Sequence, residues 1–227
     1  MRRWLSQCPH GTLRALRQVV FARLARQVFK IAMLVGFEAA VLRRVRCRGT
    51  HRLPRQGCVI ALVHSHWGRV LARWVNSQRF ARVFAHERWS RWTGDAHIAA
   101  SVGGLHRAVN LLAQGQRVAV VADEFPPQTG CNVVFLGVHK RATIRATWLA
   151  ARAGVPVVPV TVGYAAGAIR VRIGPPMEPG RRRSECVETT RALLRTFERR
   201  IRRRPDEWQD LFVFFRTAQR DPPAWLR

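Results

Sequence analysis

The sequence predicts an α/β fold, with a mostly parallel central sheet flanked by helices and an N-terminal amphipathic helix. Three observations carry this prediction. Apolar runs of strand length, CVIALV at 58–63, RVAVVA at 117–122 and VPVVPVTVGY at 155–164, alternate with stretches of helical spacing. CVIALV is continuously apolar, and RVAVVA is so after Arg117, as expected of strands covered on both faces. The chain has 227 residues and 48% hydrophobic content, enough for one domain with a substantial core and a short appendage.

Taken in order, Leu13, Leu16, Val20, Leu24 and Val28 recur at helical spacing among arginines, so residues 12–42 read as an amphipathic helix. Its apolar face either lies in an anionic membrane interface, the reading adopted, or packs on the core. Residues 1–44 are therefore assigned to a membrane-associating region and 45–227 to the α/β domain. VRCRG at 45–49 is a short strand, and Pro54 and Gly57 punctuate a turn before the strand at 58. A helix follows over about 66–76, then a strand ARVFAH at 81–86. Residues 87–104 carry no clear period. LHRAVNLLAQG is a helix stopped by Gly115, NVVFLG a strand, ATIRATWLAARAG a helix closed by Gly154. The proline-bearing strand at 155–164 pairs with AIRVRIG, and prolines confine such a strand to edges, bulges or strand starts. Residues 184–204 and 206–217 read as helical.

Forty basic residues against thirteen acidic give a formal charge of +27, a field that attracts polyanions. Nearly all of it is arginine, since lysine occurs only at Lys30 and Lys140, and a GC-rich genome produces the same bias. Nucleic acid is one candidate partner, with Trp67, Trp74, Trp89 and Trp92 available for stacking, but no helix-turn-helix, zinc-finger or RNP-like pattern accompanies the charge. No nucleic-acid partner is expected. The five cysteines, Cys8, Cys47, Cys58, Cys131 and Cys186, are scattered and never spaced as CxxC, which indicates neither a disulfide framework nor a zinc site. A secretory signal is not expected, because arginines interrupt the apolar positions of residues 1–27. The longest N-terminal apolar run, residues 31–37, is far short of the roughly 20 residues that span a bilayer. There is no GxxxxGK[ST] loop and no GxGxxG after a strand, so a nucleotide site has no support.

In open α/β sheets, sites form where strand ends give way to loops, and His64, His66 and Asp123 all fall at such ends. A histidine there can take a proton from a hydroxyl near neutral pH if a carboxylate holds its other ring nitrogen. Neither histidine has a local carboxylate: Arg69 stands five residues after His64, and Leu71 five after His66. Asp123 and Glu124 follow a second buried strand and either orient a histidine across the strand ends, bind a hydroxylated substrate, or form an ordinary loop. The residues alone leave catalysis, a capping role and a core role open.

Four blocks in order resemble the lysophospholipid acyltransferase superfamily, and within it the late acyltransferases of lipid A biosynthesis. GTHRLPRQGCVIALVHSHWG is similar to that family's approach to its catalytic histidine, and VAVVADEFPPQTGCNVVFLG to its third block. VPVVPVTV, with proline at its second and fifth positions, is the most specific match, and FERRIRRRPDEWQDLFVFFRT resembles the C-terminal end of the lipid A branch. The resemblance runs from about Val45 to Arg216.

It implies an enzyme in which a histidine deprotonates an acceptor hydroxyl that attacks a thioester on acyl carrier protein or coenzyme A. It further implies an anionic membrane lipid or glycolipid acceptor, a peripheral or monotopic position on the cytoplasmic face of the inner membrane, and no metal or bound cofactor. The family's histidine is normally followed at a spacing of five by Asp or Glu, and this chain departs from that pattern in either register. Asp123, Glu124 or Glu87 supplies the carboxylate, or His64 and His66 act as a pair, or the protein binds lipid or acyl carrier without chemistry. The reading adopted makes His64 the general base, His66 its alternative or assistant, and Asp123 the carboxylate. Arg69, Glu124, Arg82 and Arg88 are assigned to substrate binding.

Overall fold

The computed structural model describes residues 38–126 and 130–208, together with Leu24, Gln27, Val28 and Phe214. The chain divides into two units, Met1–Arg44 and Val45–Arg227. In the first, Leu24, Gln27 and Val28 are helical, and α1 spans Glu38–Leu42. Most of the amphipathic helix expected over 12–42 lies outside the described residues.

The second unit is an α/β domain. Its strands are β1 (Val45–Arg48), β2 (Cys58–Leu62), β3 (Arg82–Ala85), β4 (His97–Ala99), β5 (Arg117–Val121), β6 (Cys131–Phe135), β7 (Val138–Ala142), β8 (Val157–Ala165) and β9 (Ala168–Ile173). Its helices are α2 (Gly68–Ser77), α3 (Ser90–Thr93), α4 (Val102–Ala113), α5 (Arg145–Ala153) and α6 (Arg183–Arg203). Seven strands form one sheet in the order β1-β9-β8-β2-β5-β3-β4. From β8 to β4 all neighbours are parallel, whereas β9 turns back antiparallel on β8 and carries β1 parallel to itself. The central strands are largely apolar because both faces are covered: Val59, Ile60, Ala61, Val118 and Val120 are all buried. Helices α4, α5 and α6 pack side by side, and α5 lies on β2, β5 and β8.

Three sequence expectations change. The proline-bearing strand β8 is interior, between β9 and β2. The Pro159 carbonyl faces Gly174, from whose N–H it accepts at 2.8 Å, so the ring nitrogen faces the same side, just past the last β8–β9 pair, Val160 with Ile173. The ring forgoes only the reciprocal bond to Gly174, at the end of the ladder, and an interior strand tolerates it there. The helix expected from residue 142 starts at Arg145, because 138–142 form β7 in a separate hairpin with β6. Its two-residue turn places Leu136 (φ 51°) and Gly137 (φ 80°) in the left-handed region, the geometry that suits strand twist. The helical pattern from 206 does not begin as a helix: Pro205–Glu207 is a 3-10 turn and Trp208 is extended, bridged to Ser65. Beyond Trp208, all but Phe214 lie outside the described residues. Residues 87–104, which showed no period, contain short helical turns and the edge strand β4.

Candidate active site

The site follows from register. Strands β2 and β5 are parallel neighbours that pair Leu62 with Val121, and the Ala122 N–H donates to the Leu62 carbonyl at 2.8 Å. Continuing that register by two residues sets His64 opposite Asp123 where both chains leave the sheet. Residues distant in sequence thus meet at the carboxyl ends of adjacent strands.

The Asp123 carboxylate is buried at 3% exposure and is fully occupied by donors. His64 Nδ1 lies 2.9 Å from Oδ1. The His64 backbone N–H donates to Oδ1 at 2.9 Å and Oδ2 at 3.1 Å, and the Trp208 indole N–H donates to Oδ2 at 2.7 Å. A carboxylate only accepts, so the imidazole proton sits on Nδ1 and Nε2 becomes the basic nitrogen. The His64 side chain remains 26% accessible. A buried orienting carboxylate and a reachable imidazole form the pair that general-base chemistry requires.

His64 lines a cavity of about 340 Å³ beside α2 and β3. Leu71, Ala72, Val75, Val83 and Ala119 give it an apolar wall, while Arg88, Glu124 and Arg145 supply its polar groups. Gly68 at the start of α2 also lines it, and Ser65 Oγ accepts from the Trp67 N–H at 3.2 Å where the chain enters that helix.

The other expected site residues separate. His66 is tied through its backbone N–H to the Glu207 carbonyl at 3.4 Å and is not part of the cavity wall. Glu124 lines the cavity and pairs with Arg145 at 2.8 Å. Arg88 lines it too. Glu87 pairs with His97 at 3.3 Å and not with His64. Arg69 is exposed and stacks over Trp92 at 5.2 Å, together with Arg91 at 5.3 Å and Arg73 at 5.7 Å. Arg82 is not brought to His64. It stands at the start of β3, the opposite end of the parallel strands, donates to the Asp95 carbonyl at 2.6 Å, and lines a different depression. Its position in the sequence, after the histidines, could not reveal which strand end it occupies. Among the described residues, no group of three or more His, Cys, Asp or Glu is arranged to hold a metal ion.

Sequence reasoning missed Trp208 and Glu207. A buried aromatic and a buried acid in a helical-looking segment give no local signal of a site 85 residues away from Asp123. Two hints were available: Pro205 interrupts the helical pattern just before them, and both fall in the block FERRIRRRPDEWQDLFVFFRT that resembles the C-terminal end of the lipid A branch.

The chain matches the sequence profile of a family described as "Bacterial lipid A biosynthesis acyltransferase" over residues 21–217. No curated protein sequence matches it. Among solved structures, the fold is similar to the 1-acyl-sn-glycerophosphate (LPA) acyltransferase PlsC from Thermotoga maritima. That similarity has 12% identity and a TM-score of 0.49, and covers 81% of this chain and 97% of that one.

Proposed function

Because the chain belongs to the bacterial lipid A biosynthesis acyltransferase family, we propose that it moves a fatty acyl group from an acyl thioester to a hydroxyl of an anionic lipid or glycolipid at the membrane surface. The observation that carries the reading is the His64–Asp123 contact at the cavity wall. His64 Nε2 takes the acceptor's hydroxyl proton as its oxygen attacks the thioester carbonyl. The tetrahedral adduct collapses, the C–S bond breaks, and the imidazolium returns the proton to the leaving thiolate. Products are an ester and a free thiol. Asp123 holds the ring on Nδ1 and supports the transient positive charge. The apolar wall at Leu71, Ala72 and Val75 suits the acyl chain.

Acyl carrier protein and phosphorylated lipids are both anionic. The guanidinium groups of Arg69, Arg73 and Arg91 around Trp92, with Arg88 at the cavity, support a role for this face in binding them. Association with a membrane surface is supported by Leu24 and Val28, one helical turn apart and 61% and 60% exposed. Among the described residues, no helix is long and apolar enough to cross a membrane.

The test is transfer of a labelled acyl group from acyl carrier protein, and separately from coenzyme A, to a total lipid extract. A labelled lipid that disappears with His64→Ala is expected, and its mass identifies the acceptor. No product with either donor, from folded protein that still binds acyl chains, overturns the reading in favour of a binding protein.

A further inference from the structure

Asp123 owes its orientation to a device at the far end of the chain. Its Oδ2 accepts the Trp208 indole N–H at 2.7 Å, and Trp208 is itself 3% exposed. The ring is held by Phe135, edge-on at 5.6 Å, and by Phe214 at 5.4 Å. The backbone carrying it is tied to the histidine segment: Trp208 bridges Ser65, and the Glu207 carbonyl accepts from the His66 N–H. Glu207, 6% exposed, forms ion pairs with Arg200 at 2.5 Å and Arg204 at 3.3 Å, which fasten the turn to the end of α6. Gly163 of β8 makes room for this, since a Cβ there would collide with the Glu207 carboxylate. A buried acid placed between two arginines against a side-chain-free strand position is a costly arrangement to maintain for a surface turn.

We propose that Trp208 is a positioning residue of the His64–Asp123 pair, and that the Glu207–Arg200–Arg204 cluster is the clamp that delivers its indole N–H to Asp123. Without that donor the carboxylate loses the only side-chain hydrogen bond on Oδ2 among the described residues and can rotate, so the imidazole loses its fixed direction. The inference rests on the proposed function for its kinetic consequence but not for its geometry.

The experiment compares the full-length wild type with Trp208→Phe, Glu207→Gln and, as a core control on α4, Leu112→Val. Each is assayed for acyl transfer from acyl carrier protein or coenzyme A to total lipid extract, and each is examined by proton NMR for the downfield His64 Nδ1–H resonance, assigned by its absence in His64→Ala. Trp208→Phe keeps an aromatic ring against Phe135 and Phe214 while removing the donor, and Leu112→Val shows what lost packing alone does. It is expected to lower kcat about ten- to a hundredfold, the loss of one hydrogen bond to a charged group, with KM nearly unchanged. The Nδ1–H resonance shifts upfield or broadens. Glu207→Gln gives smaller changes in the same direction, and Leu112→Val lowers Tm without moving the resonance. Folded Trp208→Phe with wild-type kcat and an unmoved resonance overturns the proposal. If Trp208→Phe fails to fold, an unmoved resonance with wild-type kcat in Glu207→Gln overturns it equally. Should the wild type transfer no acyl group, the resonance arm still decides the positioning role, and that failure counts against the proposed reaction alone.

Discussion

His64 Nδ1 and Asp123 Oδ1 stand 2.9 Å apart although 59 residues separate them in sequence. Arg69, five residues after His64, turns outward onto Trp92. The carboxylate is supplied by the neighbouring strand instead of the following helix. Adjacent parallel strands in register deliver it to the imidazole Nδ1. A carboxylate from β5 is rigidly based, being held by two backbone contacts and an indole.

The first prediction separates the two histidines. His64→Ala is expected to abolish acyl transfer, and Asp123→Asn to reduce it by about 10³–10⁴, the scale on which loss of an orienting carboxylate acts in a hydrolase triad. His66→Ala keeps most of the activity, because the structure gives it a backbone tie and no place on the cavity wall. Steady-state kcat for the three variants, each verified as folded by circular dichroism, decides the matter.

Restoring an acid at the family's spacing does not rescue the site. Arg69→Asp in an Asp123→Asn background stays as inactive as Asp123→Asn alone, since residue 69 lies exposed on the Trp92 side of α2. Arg69→Asp by itself is expected to raise KM for an anionic substrate severalfold at low salt and less at high salt, as screening weakens the lost attraction. Recovery of turnover in the double variant contradicts the assignment of Asp123.

Chain-length preference tests the cavity. Ala72→Phe projects a ring into the apolar wall beside Leu71 and Val75, so product mass spectra from a mixture of acyl donors shift toward shorter chains. Each methylene that no longer fits costs about 1 kcal/mol of binding, several-fold in kcat/KM. A thermal melt checks that the larger side chain has not simply unfolded the helix.

Alkaline pH weakens the fold through a buried thiol. Cys58 is wholly buried in β2, and burial pushes its pKa from 9.0 up to about 11, opposed by the paired Arg117. Between those values the unfolded chain has released a proton that the folded chain retains. This contribution to stability is therefore complete below pH 9 and is lost as pH rises toward 11. It amounts to about 1 kcal/mol by pH 10. Melting curves of the wild type and Cys58→Ala, taken at pH 8, 9 and 10, should converge as pH rises.

Much of the sheet was legible because its central strands are largely apolar runs. CVIAL and RVAVV, for example, identify themselves by length and composition alone. The edge strand β4 was not, since three residues flanked by helical turns carry no period. Strand β7, with Val138 and Ala142 inward and His139 and Arg141 outward, has alternation too short to outweigh the helix after it. The site was half legible: His64 and Asp123 could be picked out as residues at strand ends, but Arg82 could not be excluded from the same list.

The sequence by itself determined the fold class and placed both His64 and Asp123 at the ends of buried strands, because apolar periodicity and residue type are local properties. Tertiary structure decided which histidine meets the carboxylate, which arginines line the cavity, and that an indole from the end of the chain completes the carboxylate's shell. Strand order and register set those contacts. They depend on how distant segments share one sheet and one core, and no local pattern of residues encodes that arrangement.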